Sequence, residues 1–157
     1  MSVIELIIFV SILMIDMVTK YMVQSNVAYH SICVIDGFFN ITYAQNTGAA
    51  WSMFAGQQML LAGIAIVAVV AFGFMLYKTD KEQLVTRLGY VLIMSGALGN
   101  LIDRLFYGYV RDFLDFILFW YDYPIFNVAD MALCIGVGLL ILDIMLDRGK
   151  DEVRTDS

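Results

Sequence analysis

Histidine occurs once, as His30, proline once, as Pro124, and cysteine twice, as Cys33 and Cys134, in a chain of 157 residues. A lone histidine cannot build a metal centre, and no CxxC or Cys/His cluster offers a zinc site. Two cysteines, one of them inside an apolar run, imply no disulfide framework. His30 is expected to be a solvated loop residue. Charge is also scarce, at 15% of residues, and no basic patch with interleaved aromatics argues for nucleic acid. What fills the chain instead is apolar: 61% of residues are hydrophobic and the mean hydropathy is +0.80. That is a membrane composition for a single domain, residues 1–157. The net charge of −6 comes largely from acids in the C-terminal tail and from aspartates inside otherwise apolar stretches.

The apolar residues fall in four runs, predicted as membrane spans at about 3–23, 59–77, 84–102 and 125–146. At about 1.5 Å per residue each can cross a hydrocarbon core of about 30 Å. The first is not read as a cleaved signal peptide, because no Lys or Arg precedes it and Glu5 interrupts its start. Asp16 and Lys20, spaced i,i+4 near its far end, can pair on one helix face. The second run, Met59 to Tyr77, carries no charge. In the third, Gly96 and Asn100 are also i,i+4, a spacing at which small residues let helices approach closely.

Two segments between the spans are too polar to cross. Within residues 28–54, Phe38 to Ala44 partly alternates and follows an Asp36-Gly37 turn, which predicts a short strand in a small surface β-element. Trp51 is expected at headgroup level. Residues 106–123 are aromatic and acidic, and are expected to lie along the interface as a helix or loop. The tail, residues 147–157, is expected to be disordered.

Six of the nine basic residues lie in the loop Lys78 to Arg87 and in the tail, which places both in the cytoplasm together with both termini. The polar residues of the spans then gather at one depth, near the opposite face: Asp16, Lys20, Asn100, Asp103, Arg104, Asn127 and Asp130, with Asp112 in the adjoining connection. Ionisable groups in spans are expensive and usually functional. Asp112 and Asp130 are eighteen residues apart, enough chain to bring them face to face. Two such carboxylates cannot both ionise cheaply, so one keeps a proton, and the pair can activate water and protonate a leaving amine. Asp130 could equally pair with Arg104 or Lys20, and Asp115 and Asp122 are rival partners in the same segment. Asp16 with Lys20, and Asp103 with Arg104, look like supports. The cation Arg111 beside Asp112 predicts that Asp112 is the ionised member and Asp130 the protonated one.

Five stretches in order cover nearly the whole chain: Asp16-Met-Val-Thr-Lys20, Asn46-Thr-Gly-Ala-Ala-Trp-Ser52, Gly96-Ala-Leu-Gly-Asn-Leu-Ile-Asp-Arg104, Val110-Arg-Asp-Phe113 and Phe126-Asn-Val-Ala-Asp130. In them the chain resembles lipoprotein signal peptidase (signal peptidase II), a family of bacterial membrane aspartic peptidases. Met17 and Arg111 depart from the residues common there, without removing a reacting group.

The resemblance implies a mainly α membrane protein, four transmembrane helices with a small extracytoplasmic β-cradle and an interfacial helix or loop, in the bacterial cytoplasmic membrane. It implies Asp112 and Asp130 as a catalytic dyad, supported by Asp16, Lys20, Asn46, Gly48, Asn100, Asp103, Arg104 and Asn127. It also implies a diacylglyceryl-modified prolipoprotein substrate, cut just before the lipidated cysteine. No cofactor or metal is expected; the other partners are membrane lipids, and the protein is expected to be a monomer. A transporter would instead show polar residues through the full membrane depth, whereas the second run is uncharged and the inner halves of the last two are almost wholly apolar.

Overall fold

The computed structural model describes residues 1–27, 30–48 and 53–155, with side chains as far as residue 146. Trp51, with the rest of the motif segment 49–52, lies outside the described residues, as do residues 28–29 and 156–157. Four helices and four strands follow in the order α1 (Val3–Val27), β1 (Ser31–Ile35), β2 (Phe39–Asn46), α2 (Gln58–Lys78), α3 (Leu84–Tyr107), β3 (Val110–Leu118), β4 (Tyr121–Asp122) and α4 (Val128–Thr155).

The central helix is α3. Within the stretch that could span a membrane, 67% of its residues are buried, against 17% in α2 and in α4. It packs against α1, α2 and α4. Its contact with α4 needs a glycine at position 96: a Cβ there would stand 2.3 Å from the Ala129 carbonyl oxygen. The predicted close approach at Gly96 is therefore a backbone-to-backbone contact of α3 with the first turn of α4. At its other end α3 closes on Gly108, at φ 75°, whose amide donates to the Arg104 carbonyl.

Three helical stretches are long and apolar enough to cross a membrane: Gln58–Lys78, Leu84–Tyr107 and Val128–Leu146. The first expected span forms α1, a helix of 25 residues, but is not among these three; it carries Glu5, Asp16 and Lys20. Its last turn continues past Val23 because Val23 and Val27, one turn apart, bury against Phe113 of β3. Tyr107 rather than residue 102 ends α3. Residues 125–127 precede α4 rather than opening it, since Phe126 pairs with β3. The tail expected to be disordered continues the backbone of α4 to Thr155.

The four strands form one antiparallel sheet in the order β1-β2-β3-β4. The expected strand over 38–44 is β2, and the Asp36-Gly37 turn joins it to β1, with Gly37 at φ 64°. The expectation of an interfacial helix or loop over 106–123 is corrected: this segment holds β3 and β4. Val110 to Leu118 is rich in β-branched and aromatic residues, and the open edge of β2 offers it a ladder that a helix would leave unmade. The register pairs Asn46 with Val110, Ala44 with Asp112 and Phe39 with Phe116. A shift between Ile41 and Ala44 interrupts it next to Asp112. Phe126 then bridges Leu114, with amide–carbonyl bonds of 2.8 and 3.1 Å, and ties the start of α4 to β3.

Candidate active site

Asp112 comes from β3 and Asp130 from the first turn of α4, and the Leu114–Phe126 bridge sets the two elements side by side. Asn127 and Asp130 cap α4 reciprocally. The Asp130 amide donates to Asn127 Oδ1 at 2.9 Å, and the Asn127 amide donates to Asp130 Oδ2 at 3.2 Å.

Both carboxylates are held by amides. Asp112 accepts from Asn127 Nδ2 at 2.6 Å and from Asn46 Nδ2 at 2.9 Å. Asp130 Oδ1 accepts from Asn100 Nδ2 at 2.7 Å. The orientation of each amide is itself determined. Asn100 Oδ1 accepts from the Lys20 ammonium at 3.0 Å and from Asn127 Nδ2 at 3.2 Å, which leaves the Asn100 NH₂ for Asp130. Asn46 Oδ1 accepts from the Gly48 amide at 2.9 Å, which turns the Asn46 NH₂ to Asp112. Among the described residues neither Asp112 nor Asp130 forms an ion pair, so the alternative of Asp130 locked to Arg104 or Lys20 does not occur.

The cations are engaged elsewhere. Lys20, fully buried, pairs with Asp16 at 2.8 Å and Asp103 at 3.4 Å. Asp103 holds Arg111, from Nη2 at 2.6 Å and from the Arg111 backbone amide at 2.9 Å. Arg111 also donates to Gln24 Oε1 at 3.0 Å, and its guanidinium lies 4.2 Å from the centre of the Tyr107 ring. Asp16 Oδ1 accepts from the Ala129 amide at 2.9 Å, fixing α4 to α1. Arg104 donates to the carbonyls of Gly48 at 3.1 Å and Asn100 at 3.4 Å.

Two expectations are thereby corrected. Asp103 is paired with Arg111 and Lys20 rather than Arg104, because adjacent helix residues point about 100° apart. Arg111 does not act on Asp112, because successive strand residues face opposite sides. Burial, reinforced by the negative charge of Asp130, pushes the Asp112 carboxyl from 3.8 up to about 7, against the opposing hydrogen bonds from Asn46 and Asn127. The ground for expecting Asp112 to be the ionised member is gone.

Both aspartates line one cavity of about 960 Å³ between α2, α3, α4 and the sheet. Asn46, Asn100 and Arg104 add polar lining, and Leu61, Ile64, Ala65, Ala68 and Leu133 make an apolar wall beneath them. Cys134, one turn beyond Asp130, lines it too. The rivals stand apart from this cavity: Asp115 accepts from the Thr42 hydroxyl at 2.7 Å, and Asp122 is exposed on β4. No group of three or more potential metal ligands occurs among the described residues.

The eight residues expected as supports lie around these carboxylates, but sequence reasoning misses several partners. It ends the first span at residue 23, whereas Gln24 lies within the last turns of α1 and accepts from Arg111. It counts Arg87 as a loop cation, yet Arg87 is buried, makes two bonds to Glu5 at 2.7 and 2.9 Å, and caps the end of α2 at Leu76 and Thr79. Nothing local marks such pairs except an unusual acid near the start of the apolar run.

The chain is similar to known proteins over most of its length. Residues 8–146 match the family model described as signal peptidase (SPase) II. The chain is 43% identical to the lipoprotein signal peptidase of Actinobacillus succinogenes, over 82% of each chain. It is 38% identical to that of Photorhabdus laumondii, over 92% of this chain and 89% of the relative. Among solved structures, a bacterial membrane enzyme determined by the in meso method at 2.3 Å resolution superposes with a TM-score of 0.87 at 37% identity, covering 93% of this chain and 90% of that one. The fold, the apolar helices and the match over nearly the whole length place the chain in the signal peptidase II family, as a membrane protease.

Proposed function

We propose that this protein is an aspartic endopeptidase that removes signal peptides from diacylglyceryl-modified bacterial prolipoproteins, cutting just before the lipidated cysteine, with Asp112 and Asp130 as its dyad. The observation that carries this reading is the contrast within one cavity: two carboxylates share it, amides are their only hydrogen-bond donors among the described residues, and the neighbouring cations are engaged elsewhere, Lys20 and Arg111 with Asp16 and Asp103, and Arg104 with backbone carbonyls. The name that the relatives carry, lipoprotein signal peptidase, supports the substrate class.

In the working state the dyad carries one proton. The ionised carboxylate takes a proton from a water molecule as that water attacks the scissile carbonyl. The protonated partner donates to the carbonyl oxygen, and the proton gained from water is later passed to the leaving amine. The amide frame positions both carboxylates without neutralising either. Asn100, fixed by Lys20, holds Asp130; Asn46, fixed by Gly48, holds Asp112; Asn127 touches both aspartates. The apolar wall below suits the signal helix and acyl chains, which keep the substrate at this depth.

Four spans with both termini in the cytoplasm, and the dyad near the extracytoplasmic face, fit the distribution of basic residues. In that arrangement α1 is the fourth span, its Asp16 and Lys20 turned inward. A monomer contains the whole dyad.

The test is cleavage of a diacylglyceryl-modified prolipoprotein by purified protein in nanodiscs, with the product mapped by mass spectrometry. Cleavage before the lipidated cysteine is expected, with Asp112→Asn and Asp130→Asn folded but inactive. A wild-type protein inert on several such substrates would remove the substrate assignment. An active variant at either position would remove the dyad.

A further inference from the structure

The end of the sheet remote from Asp112 is apolar and uncovered. Leu118 and Tyr121 pair across a two-residue turn, Phe119-Trp120, in which both side chains are nearly fully exposed, at 92% and 91%. The two rings meet only one another among the ring contacts described, 6.0 Å apart. Phe119 sits at φ 60°, a left-handed conformation that bulky residues rarely adopt. A turn built for stability would carry Gly, Asn or Asp at these positions.

The antiparallel register brings a second apolar turn to the same end. The Ile117 amide donates to the Phe38 carbonyl at 2.8 Å, and Phe38 packs edge-on against Phe116. Ile35 and Phe38 are exposed beside Leu118, Phe119 and Trp120. Patches of this kind on a surface bathed in water are liabilities. Neither sheet segment, 31–39 or 114–123, contains Lys or Arg, while Asp36, Asp115 and Asp122 are present. That charge pattern disfavours acidic headgroups. The sheet is also continuous with membrane-crossing helices: β3 follows α3 after two residues, and β4 leads back to α4. The aromatic end is about 23 Å along β3 from Asp112, at 3.3 Å per residue.

We propose that this end of the sheet, with Phe119 and Trp120 at its tip, inserts into the interfacial layer of the bilayer, among zwitterionic headgroups and upper acyl chains. Trp at that level satisfies its indole N–H while its ring leaves water. The sheet then lies along the membrane surface, held by α3 and α4 at one end and by the aromatic tip at the other. The tip sets the depth of β3, and with it that of Asp112. This inference stands whether or not Asp112 is catalytic.

The test uses the full chain in phosphatidylcholine nanodiscs, in a Trp51→Phe background that leaves Trp120 as the single tryptophan. The expected result is blue-shifted Trp120 emission, quenched at least twofold by phosphatidylcholine brominated high in the acyl chain and poorly by aqueous acrylamide. Full quenching by acrylamide with none by bromolipid would put the tip in water and overturn the proposal. Blue-shifted emission quenched by neither agent would mean that protein, such as a second copy, covers the tip, and would overturn it equally. If the Trp51→Phe protein does not fold, a nitroxide at Trp120→Cys, with Cys33→Ser and Cys134→Ser, reads the same depth. Greater accessibility to oxygen than to a water-soluble nickel chelate supports insertion, and the reverse order overturns it.

Discussion

Four aspartates at one end of the helix bundle fall into two pairs that differ in what holds them. Asp16 and Asp103 are fully buried and each faces a cation: Lys20 bridges both, and Arg111 adds a fork on Asp103. Asp112 is as deeply buried, and Asp130 opens on the same cavity, yet both are held by amides alone. The residue type is the same, and Asp112 is as deep as Asp16 and Asp103, so depth alone does not separate the pairs and the donors do. A cation stabilises the ionised form and fixes it. An amide orients the carboxylate at lower electrostatic cost to its protonation. The first pair can hold helices together, and the second can carry a proton.

The largest expected effect tests the second pair. Asp112→Asn and Asp130→Asn should each lower kcat by about 10²–10⁴-fold, the usual worth of a positioned acid or base. The folded fraction, read by size-exclusion chromatography and circular dichroism, should not change. The first pair predicts the opposite signature. Asp103→Asn leaves Arg111 without its carboxylate and Lys20 with one partner fewer, which should cost about 3–5 kcal/mol of stability. Thermal unfolding in detergent measures it. Asp16→Asn should cost less, since Lys20 keeps Asp103 and Asn100. If Asp103→Asn folds normally and loses only turnover, the division between the pairs fails.

A pH series sharpens the comparison. With its carboxyl raised from 3.8 to about 7, Asp112 is protonated more readily in the folded protein than in the unfolded chain. Its ionisation therefore destabilises the fold progressively as pH rises from about 4 to about 7, by an amount on the order of a few kcal/mol. Asp112→Asn removes that penalty, so its Tm should gain on the wild type between pH 5 and pH 8. In the wild type, kcat/KM should fall as pH rises through about 7, when the dyad loses its shared proton. A flat profile from pH 6 to 9 would mean that the proton donor is elsewhere.

Much of this division is legible in the amino-acid sequence. The apolar runs locate α2 within a residue at either end, because an uncharged stretch with no competing period has only one use. Asp16 with Lys20 is visible from i,i+4 spacing. Less legible is anything decided by a partner far along the chain. Arg111 looks like the neighbour of Asp112 because it is next in sequence; strand alternation sends it to Asp103 and to Gln24, 87 residues away. Residues 110–118 carry no clean period of 2 or 3.6, so their strand character depends on β2 offering an edge. Arg87 and Glu5, 82 residues apart, meet only because α3 and α1 pack.

The smallest expected effect is at Asp115, three residues beyond Asp112 in the same strand. By composition it is an equal candidate for the dyad. Its carboxylate instead accepts from the Thr42 hydroxyl, which is also hydrogen-bonded with Ser31, in a chain across three strands. An odd number of positions along a regular strand turns a side chain to the opposite face. Asp115→Asn keeps an acceptor for Thr42 and nearly the same shape, so activity should change by less than about twofold, and stability by no more than about 0.5 kcal/mol. Cleavage assays beside Asp112→Asn, at matched protein and lipid concentrations, measure the difference. Near-equal losses in the two variants would mean that acidity of the whole strand matters rather than the donors around one carboxylate. A silent Asp115→Asn leaves the amide-held position at 112 as the one that distinguishes two otherwise similar acids.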